Sequence, residues 1–208
     1  MKSILISIRP EWVAKILNGE KTIEIRKSAP KCDLPIDVYI YCTKGDKNYL
    51  MLRNIVNDPF TLINGKVVGK FRLKRIDCLR FGWEHNPYFS GIGSATCLSV
   101  KETKSYLGGK TGYLWHISDL EIFDEPIPLA ALGAESAPQS WVYIESDREP
   151  IYARKGRCEA YCDGKLIGGN YILHITMNGS EIMHQKWAVM PTKAQAEEIL
   201  SALNPEGI

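Results

Sequence analysis

Hydrophobic positions along the chain fall mainly into short runs with a period of two, the signature of half-buried strands. The first run covers residues 2–8. Pro10 then suits the first turn of a helix, because its fixed φ fits there and its missing N–H is no loss. Trp12, Val13, Ile16 and Leu17 give that helix one apolar face, and Gly19 is a natural stop. Strands are expected at Thr22–Lys27 and Ile36–Cys42, followed by a loop or short helix over 43–58. Asn64-Gly65 signals a hairpin. In its second strand Phe71 and Leu73 point one way, and Lys70, Arg72 and Lys74 the other. Ser99-x-x-Glu102 reads as a capping box opening a short helix that stops at Gly108-Gly109. Gly112–Phe123 and Pro138–Glu145 complete a set of about six strands. So many strands with only short helices between them predict an α+β, mainly β, protein built on a small, mostly antiparallel barrel.

Glu145–Pro150 reads as a linker, which divides the chain into a barrel domain, 1–148, and an appendage, 149–208. In the appendage "RCEAYC", "NYILHITM" and "EIMHQKWAV" predict three antiparallel strands, and Thr192-x-x-Gln195 caps a last helix with Ala196, Ile199, Leu200 and Leu203 on its buried stripe. The result is a ββ(β)α unit. Its second hairpin turns at Asn178-Gly179. A two-residue loop there sets His174 and His184 on opposite faces, whereas a three-residue loop sets them across from one another. The longer loop also pairs Tyr171 with Trp187 and Ile175 with Met183 on one apolar face, so it is the expected one.

Composition narrows the class. Of the 208 residues 45% are hydrophobic and 24% charged, which suits a folded globular protein. No apolar run approaches the roughly 18 residues needed to cross a bilayer, and the N-terminal apolar stretch is too short for a signal peptide. A cytoplasmic protein with no membrane partner is expected. Its six cysteines, scattered in apolar patterns, then read as reduced core residues. The net charge of +2 conceals an asymmetry, since residues 1–80 hold 16 Lys/Arg against 8 Asp/Glu. A basic first segment favours an anionic partner, nucleic acid above all.

Candidate chemistry concentrates in "GEKTIEIR", Gly19–Arg26. If Ile23 and Ile25 enter the core, Thr22, Glu24 and Arg26 share the outer face of the strand, with Lys21 at its entrance and the preceding helix as one wall of a cleft. Lys21 and Arg26 suit phosphate, and Glu24 suits a base amino group. Arg9 lies just before the helix and joins them, while Lys70, Arg72 and Lys74 form a basic stripe alongside. Trp83, in "FGWEHNPYF" beside His85 and Tyr88, is the stacking candidate; the other four tryptophans read as core anchors. Cys158, Cys162, His174 and His184 invite a zinc reading, but their spacing matches no common zinc motif, so no metal and no cofactor is expected. Phosphate-binding glycine loops, a Ser/His/Asp order and paired carboxylates are all lacking.

"SIRPEWVAKILNGEKTIEIRK" resembles the opening of ASCH domains of the PUA-like superfamily, whose hallmark is a helix followed by G-x-K-[ST]-x-E-x-R. Gly19, Lys21, Thr22, Glu24 and Arg26 meet every position of it. "GYLWHISDLEIF" and "PQSWVYIE" are similar to the later strands of ASCH proteins common in phages and prophages, so the resemblance covers about residues 1–145. It implies a PUA-like β-barrel whose motif cleft binds RNA, a nucleotide or a modified nucleoside. Some members are amidohydrolases of acylated cytidine, which use the motif Lys, a Thr two residues beyond the first and a Glu on a later strand. Lys21 matches, but Glu24 stands at the Thr position and "VGKFRLKRI" offers basic residues in place of the Glu. Lys21 with Glu24 is then the catalytic pair of an alternative reading, acting on a substrate such as N4-acetylcytidine. A third reading is an interaction module working through residues 149–208.

Overall fold

Continuous apolar runs and alternating ones build different parts of a sheet, and both kinds are used here. A computed structural model describes residues 2–45, 50–52, 60–81, 87–145 and 149–204. The elements of its first part are β1 (Lys2–Ile8), α1 (Pro10–Leu17), β2 (Ile23–Arg26), β3 (Ile36–Cys42), β4 (Leu50–Leu52), β5 (Phe60–Leu62), β6 (Val67–Leu79), α2 (Pro87–Thr96), α3 (Val100–Leu107), β7 (Gly112–Ile127) and β8 (Trp141–Glu145). Then follow β9 (Ile151–Lys155), β10 (Cys158–Cys162), β11 (Leu166–Ile167), β12 (Asn170–Met177), β13 (Ser180–Trp187) and α4 (Lys193–Leu203).

Six strands form one sheet in the order β2-β7-β6-β3-β1-β8. β1 runs parallel to β3, whereas β3–β6 and β2–β7 are antiparallel. β1 is apolar on both faces, and Ile4, Leu5 and Ile6 are all fully buried, together with Val38, Ile40, Phe71 and Leu73 on its neighbours. Among the described ladders none joins β2 to β8, so the backbone pairing stays open there. Side chains bridge the gap: Arg26 on β2 donates to the Ser7 carbonyl on β1 at 2.7 Å, and the Trp141 indole on β8 donates to Ser28 Oγ at 3.1 Å. The fold is mainly β with short helices. On one face of the sheet, Ile23 and Ile25 of β2 and Leu114 of β7 pack with Ile92 of α2 and Leu107 of α3.

Asn64-Gly65 does make a turn, with Gly65 at φ +75°. The expected hairpin around it does not form among the described residues: β5 pairs with β4, and β6 pairs with β3. Thirteen residues of β6 have a better partner in the apolar β3 than in a three-residue strand. The capping box at Ser99 and Glu102 is present in both directions, and Gly108 closes α3 in the left-handed conformation.

By density of contact the chain divides into two units, one of residues 4–126 with 138–142, the other of residues 1–3, 127–137 and 143–208. Among the described residues of 149–208, within the second unit, there are five strands rather than the expected three. β9 folds back onto β10, and β11 pairs with the start of β12. Its core joins Cys158, Ala160 and Cys162 of β10 to Tyr171, Leu173 and Ile175 of β12 and to Ala196 and Leu200 of α4. The Asn178-Gly179 loop has two residues, since Met177 faces Ser180; Tyr171 nevertheless faces Trp187, and His174 faces His184. A register shift between Ile175 and Thr176, opposite Ile182, supplies the extra residue that the expected longer loop would have supplied. All six cysteines are free thiols, three of them buried, and burial pushes Cys42 up to about 12.

Gly69 of β6 lies where a Cβ would collide with the backbone carbonyl of Glu121 on β7, whereas a Cβ on Gly91 of α2 meets open space. Gly69→Ala should therefore cost about 1–3 kcal/mol, as overpacking does. Gly91→Ala should be neutral or stabilising by up to about 1 kcal/mol. Urea unfolding of the two variants checks both, and equal effects would contradict the tight β6–β7 approach.

Candidate functional site

Gly19, at φ +76°, lets the chain leave α1 in a conformation that L side chains rarely adopt. The amides of Glu20 and Lys21 then both bond the Lys15 carbonyl, which turns the backbone sharply into β2. Lys21 is consequently swung inward. It is 2% exposed, and its Nζ donates to the Thr96 carbonyl at 2.7 Å. The same Nζ lies 3.2 Å from Glu24 Oε2, while Glu24 Oε1 lies 3.2 Å from Arg26 Nη2. Arg26 reaches on to the Ser7 carbonyl and, at 3.4 Å, to Ser140 Oγ. One carboxylate is thus shared by two buried cations.

The expectation that Glu24 and Arg26 lie on an outer face is corrected, since all four residues of β2 are buried. Alternation itself holds. Ile23 and Ile25 pack against the helices, and Glu24 sits across from Trp115, which is fully buried. A charged face can be buried here because Glu24 is matched by two cations and each cation also donates to a carbonyl or hydroxyl oxygen. Thr22 is exposed and outside the cleft lining; its N–H donates to the Ala95 carbonyl of α2 and its carbonyl accepts from the Ile117 N–H of β7.

Lys21, Glu24 and Arg26 open onto a cleft of about 960 Å3. Arg9 and Trp12 of α1 line one wall, Glu102, Ser105 and Tyr106 of α3 another, and Pro138–Ser140 a third. That last segment is tied to β1, where Ser7 N bonds the Ser140 carbonyl and Ser7 Oγ the Pro138 carbonyl. Hydrogen bonds from the Ser99 hydroxyl and amide hold the Glu102 carboxyl below its ordinary value. Burial pushes the Tyr106 phenol up, with Arg26 and Arg9 acting the other way. Tyr106 therefore stays a protonated donor, with the Lys27 ammonium 5.2 Å from its ring centre.

Of the residues expected to bind, Arg9, Lys21, Glu24 and Arg26 come together in this cleft. Lys70, Arg72 and Lys74 lie outside its lining, opposite Glu121 (3.5 Å), Asp37 (2.8 Å) and Asp119 (2.7 Å). Trp83 and His85 are outside the described residues. Trp12, expected as a core anchor, is half-buried and lines the cleft, with the Lys21 ammonium 5.5 Å from its ring centre. The zinc reading loses its geometry. Cys158 and Cys162 face the appendage core, whereas His174 stacks on Tyr161 on the other face of the sheet and shares Glu181 with His184. Among the described residues no group of three or more ligating side chains is arranged for a metal ion, and no helix is long and apolar enough to cross a membrane.

Residues 6–94 match the family model of the ASCH domain. The match contains the whole Gly19–Arg26 motif and ends before α3. The ASCH protein of Zymomonas mobilis has a similar structure, with a TM-score of 0.51 at 23% identity over 70% of this chain and 89% of that one. Two point variants of it align with TM-scores of 0.51 and 0.50, again at 23% identity, over 70% and 69% of this chain and 91% and 88% of theirs. At that identity the likeness carries the ASCH fold and no more. No curated protein matches the chain.

Removing the shared carboxylate would strand two buried cations. Glu24→Ala should cost about 3–5 kcal/mol of folding stability at neutral pH, whereas Thr22→Ala should stay within about 0.5 kcal/mol. Denaturant unfolding measures both, and a Glu24 effect as small as that of Thr22 would contradict the shared-carboxylate geometry.

Proposed function

We propose that the chain is a binding module for RNA or a nucleotide, taking its ligand in the cleft beside Lys21, Glu24 and Arg26. The observation that carries this reading is the cleft itself. Its size lies at the upper end of small-ligand sites, about 300–1,000 Å3, and Arg9, Lys21, Arg26 and Lys27 outnumber the carboxylates Glu24 and Glu102 in its lining. The ASCH domain over residues 6–94 supports it, as a PUA-like family commonly linked to RNA binding. Glu24 holds Lys21 and Arg26 in fixed geometry before any ligand arrives, so little side-chain entropy is lost on binding. Arg72 and Lys74 add basic surface on β6, since exposed pairs worth about 0–1 kcal/mol exchange readily for phosphate, with the less exposed Lys70 beside them. Residues 1–148 carry the ligand function in this reading, with 149–208 as an appendage, in a cytoplasmic protein of prophage type.

The 3.2 Å contact between Lys21 and Glu24 favours a second reading, an amidohydrolase of an acylated nucleoside such as N4-acetylcytidine. A buried amine beside a carboxylate is equipped for proton transfer. Against it, Glu24 replaces the hydroxyl that the hydrolytic relatives carry at that position, and Thr22 is exposed and faces elsewhere.

Binding of single-stranded RNA should weaken steeply as salt rises. Lys21→Ala and Arg26→Ala should each cost about 1–3 kcal/mol of affinity, the range of charge-assisted contacts. Titrations at several salt concentrations test this, and an affinity indifferent to salt would overturn the electrostatic basis. Incubation with N4-acetylcytidine separates the two readings, because release of cytidine and acetate by the unmodified protein, abolished in Lys21→Ala, would establish the hydrolase instead.

A further inference from the structure

Trp12 and Tyr106 stand on different helical walls of the cleft, and neither belongs to the Gly19–Arg26 motif. Val13 and Ile16 already anchor α1 in the core, so the half-buried Trp12 indole is not needed to hold the helix down. The Lys21 ammonium near its ring has two of its three donors engaged, by the Thr96 carbonyl and Glu24. Around Tyr106 the chemistry differs. The Lys27 ammonium lies 5.2 Å from its ring centre, and Arg9 and Arg26 line the same cleft. One region of the cleft thus offers an aromatic surface and another a group of cations with a phenol donor among them.

Charge matching limits what fits. Four cations and two carboxylates line the cleft, and Glu24 already occupies part of Lys21 and Arg26. The remaining excess matches one phosphate monoester, which carries about −1.5 to −2 at neutral pH. A triphosphate exceeds it, and a neutral nucleoside leaves Arg9 and Lys27 unmatched and Arg26 with only its share of Glu24. Resting on the nucleotide-binding reading, we propose that the cleft takes a nucleoside bearing a single phosphate, its base stacked on Trp12 and its phosphate among Arg9, Arg26, Lys27 and the Tyr106 hydroxyl. A free mononucleotide and the phosphorylated end of a single-stranded RNA share this chemistry.

The test is calorimetric titration of the full chain with the four nucleosides, their monophosphates and triphosphates, and with ribohexamers bearing a 5′-phosphate, a 3′-phosphate or neither. At least one monophosphate should bind about tenfold or more tighter than its nucleoside, the weight of a charge-assisted contact, with no gain for the triphosphate. Trp12→Leu should weaken the monophosphate by about 5- to 150-fold, the range of base–aromatic stacking. Trp12→Phe should retain most of the affinity, which guards against a mere folding defect. Tyr106→Phe should weaken the monophosphate but leave the nucleoside unchanged. If a terminally phosphorylated hexamer binds more tightly than the mononucleotide, the source is an RNA end; equal affinity assigns the free nucleotide. Three results would overturn the proposal: Trp12→Leu binding like the parent, nucleosides binding as well as monophosphates, or an unphosphorylated hexamer binding as well as a phosphorylated one. In each of these the wider reading survives if Arg26→Ala still weakens RNA binding. Absence of binding to every probe ends both.

Discussion

Glu24 is the group on which the rest of the site depends. A carboxylate and two cations taken out of water cost several kcal/mol each unless each charge is matched and hydrogen-bonded. Here the matching is nearly complete. Lys21 has Glu24 and the Thr96 carbonyl, and Arg26 has Glu24, the Ser7 carbonyl and Ser140. Only the Arg26 Nε remains without a partner among the described groups of this cluster. The same contacts tie β2 to β1 across the opening that the backbone ladders leave, so one ion cluster both braces the sheet and furnishes the floor of the cleft. That double duty explains why a strand needing only Ile23 and Ile25 for packing also carries Lys21, Glu24 and Arg26.

Much of this was legible in the residues. Alternation in β2, the proline start and glycine stop of α1, and the capping boxes of α3 and α4 are local signals, and each describes the element that forms. What failed was non-local. Asn64-Gly65 specifies a turn but not which strand pairs beyond it, and β6 found β3 instead of its sequence neighbour. In the second unit the turn at Asn178-Gly179 is one residue shorter than the pattern implies, yet the implied register forms, because the bulge at Ile182 displaces the chain as an extra loop residue would.

The site shows the same division. Lys21, Glu24 and Arg26 gather in the cleft while Thr22 stays outside it, and the burial of the three is not legible in the sequence, since a run of charged side chains reads as solvated until its partners are known. Trp12 was hidden in another way. It neighbours Val13 on the apolar face of α1, yet a short helix buries only the narrow stripe of Pro10, Val13 and Ile16 and leaves Trp12 at its margin, facing the cleft. Tyr106 comes from α3, some eighty residues beyond the motif, and Ser140 from later still. The one available hint for Tyr106 was its spacing from the capping residue Glu102, which puts both on one helical face.

The measurement that bears most directly on the central claim is ultraviolet crosslinking of short single-stranded RNA to the full chain, with the attached residues identified by mass spectrometry. If the ligand lies in the Lys21–Glu24–Arg26 cleft, adducts will concentrate on the residues that line it, with Trp12 and Tyr106 foremost. Adducts confined to the outer face of β6 or to residues 149–208, with none in the cleft, would contradict the account.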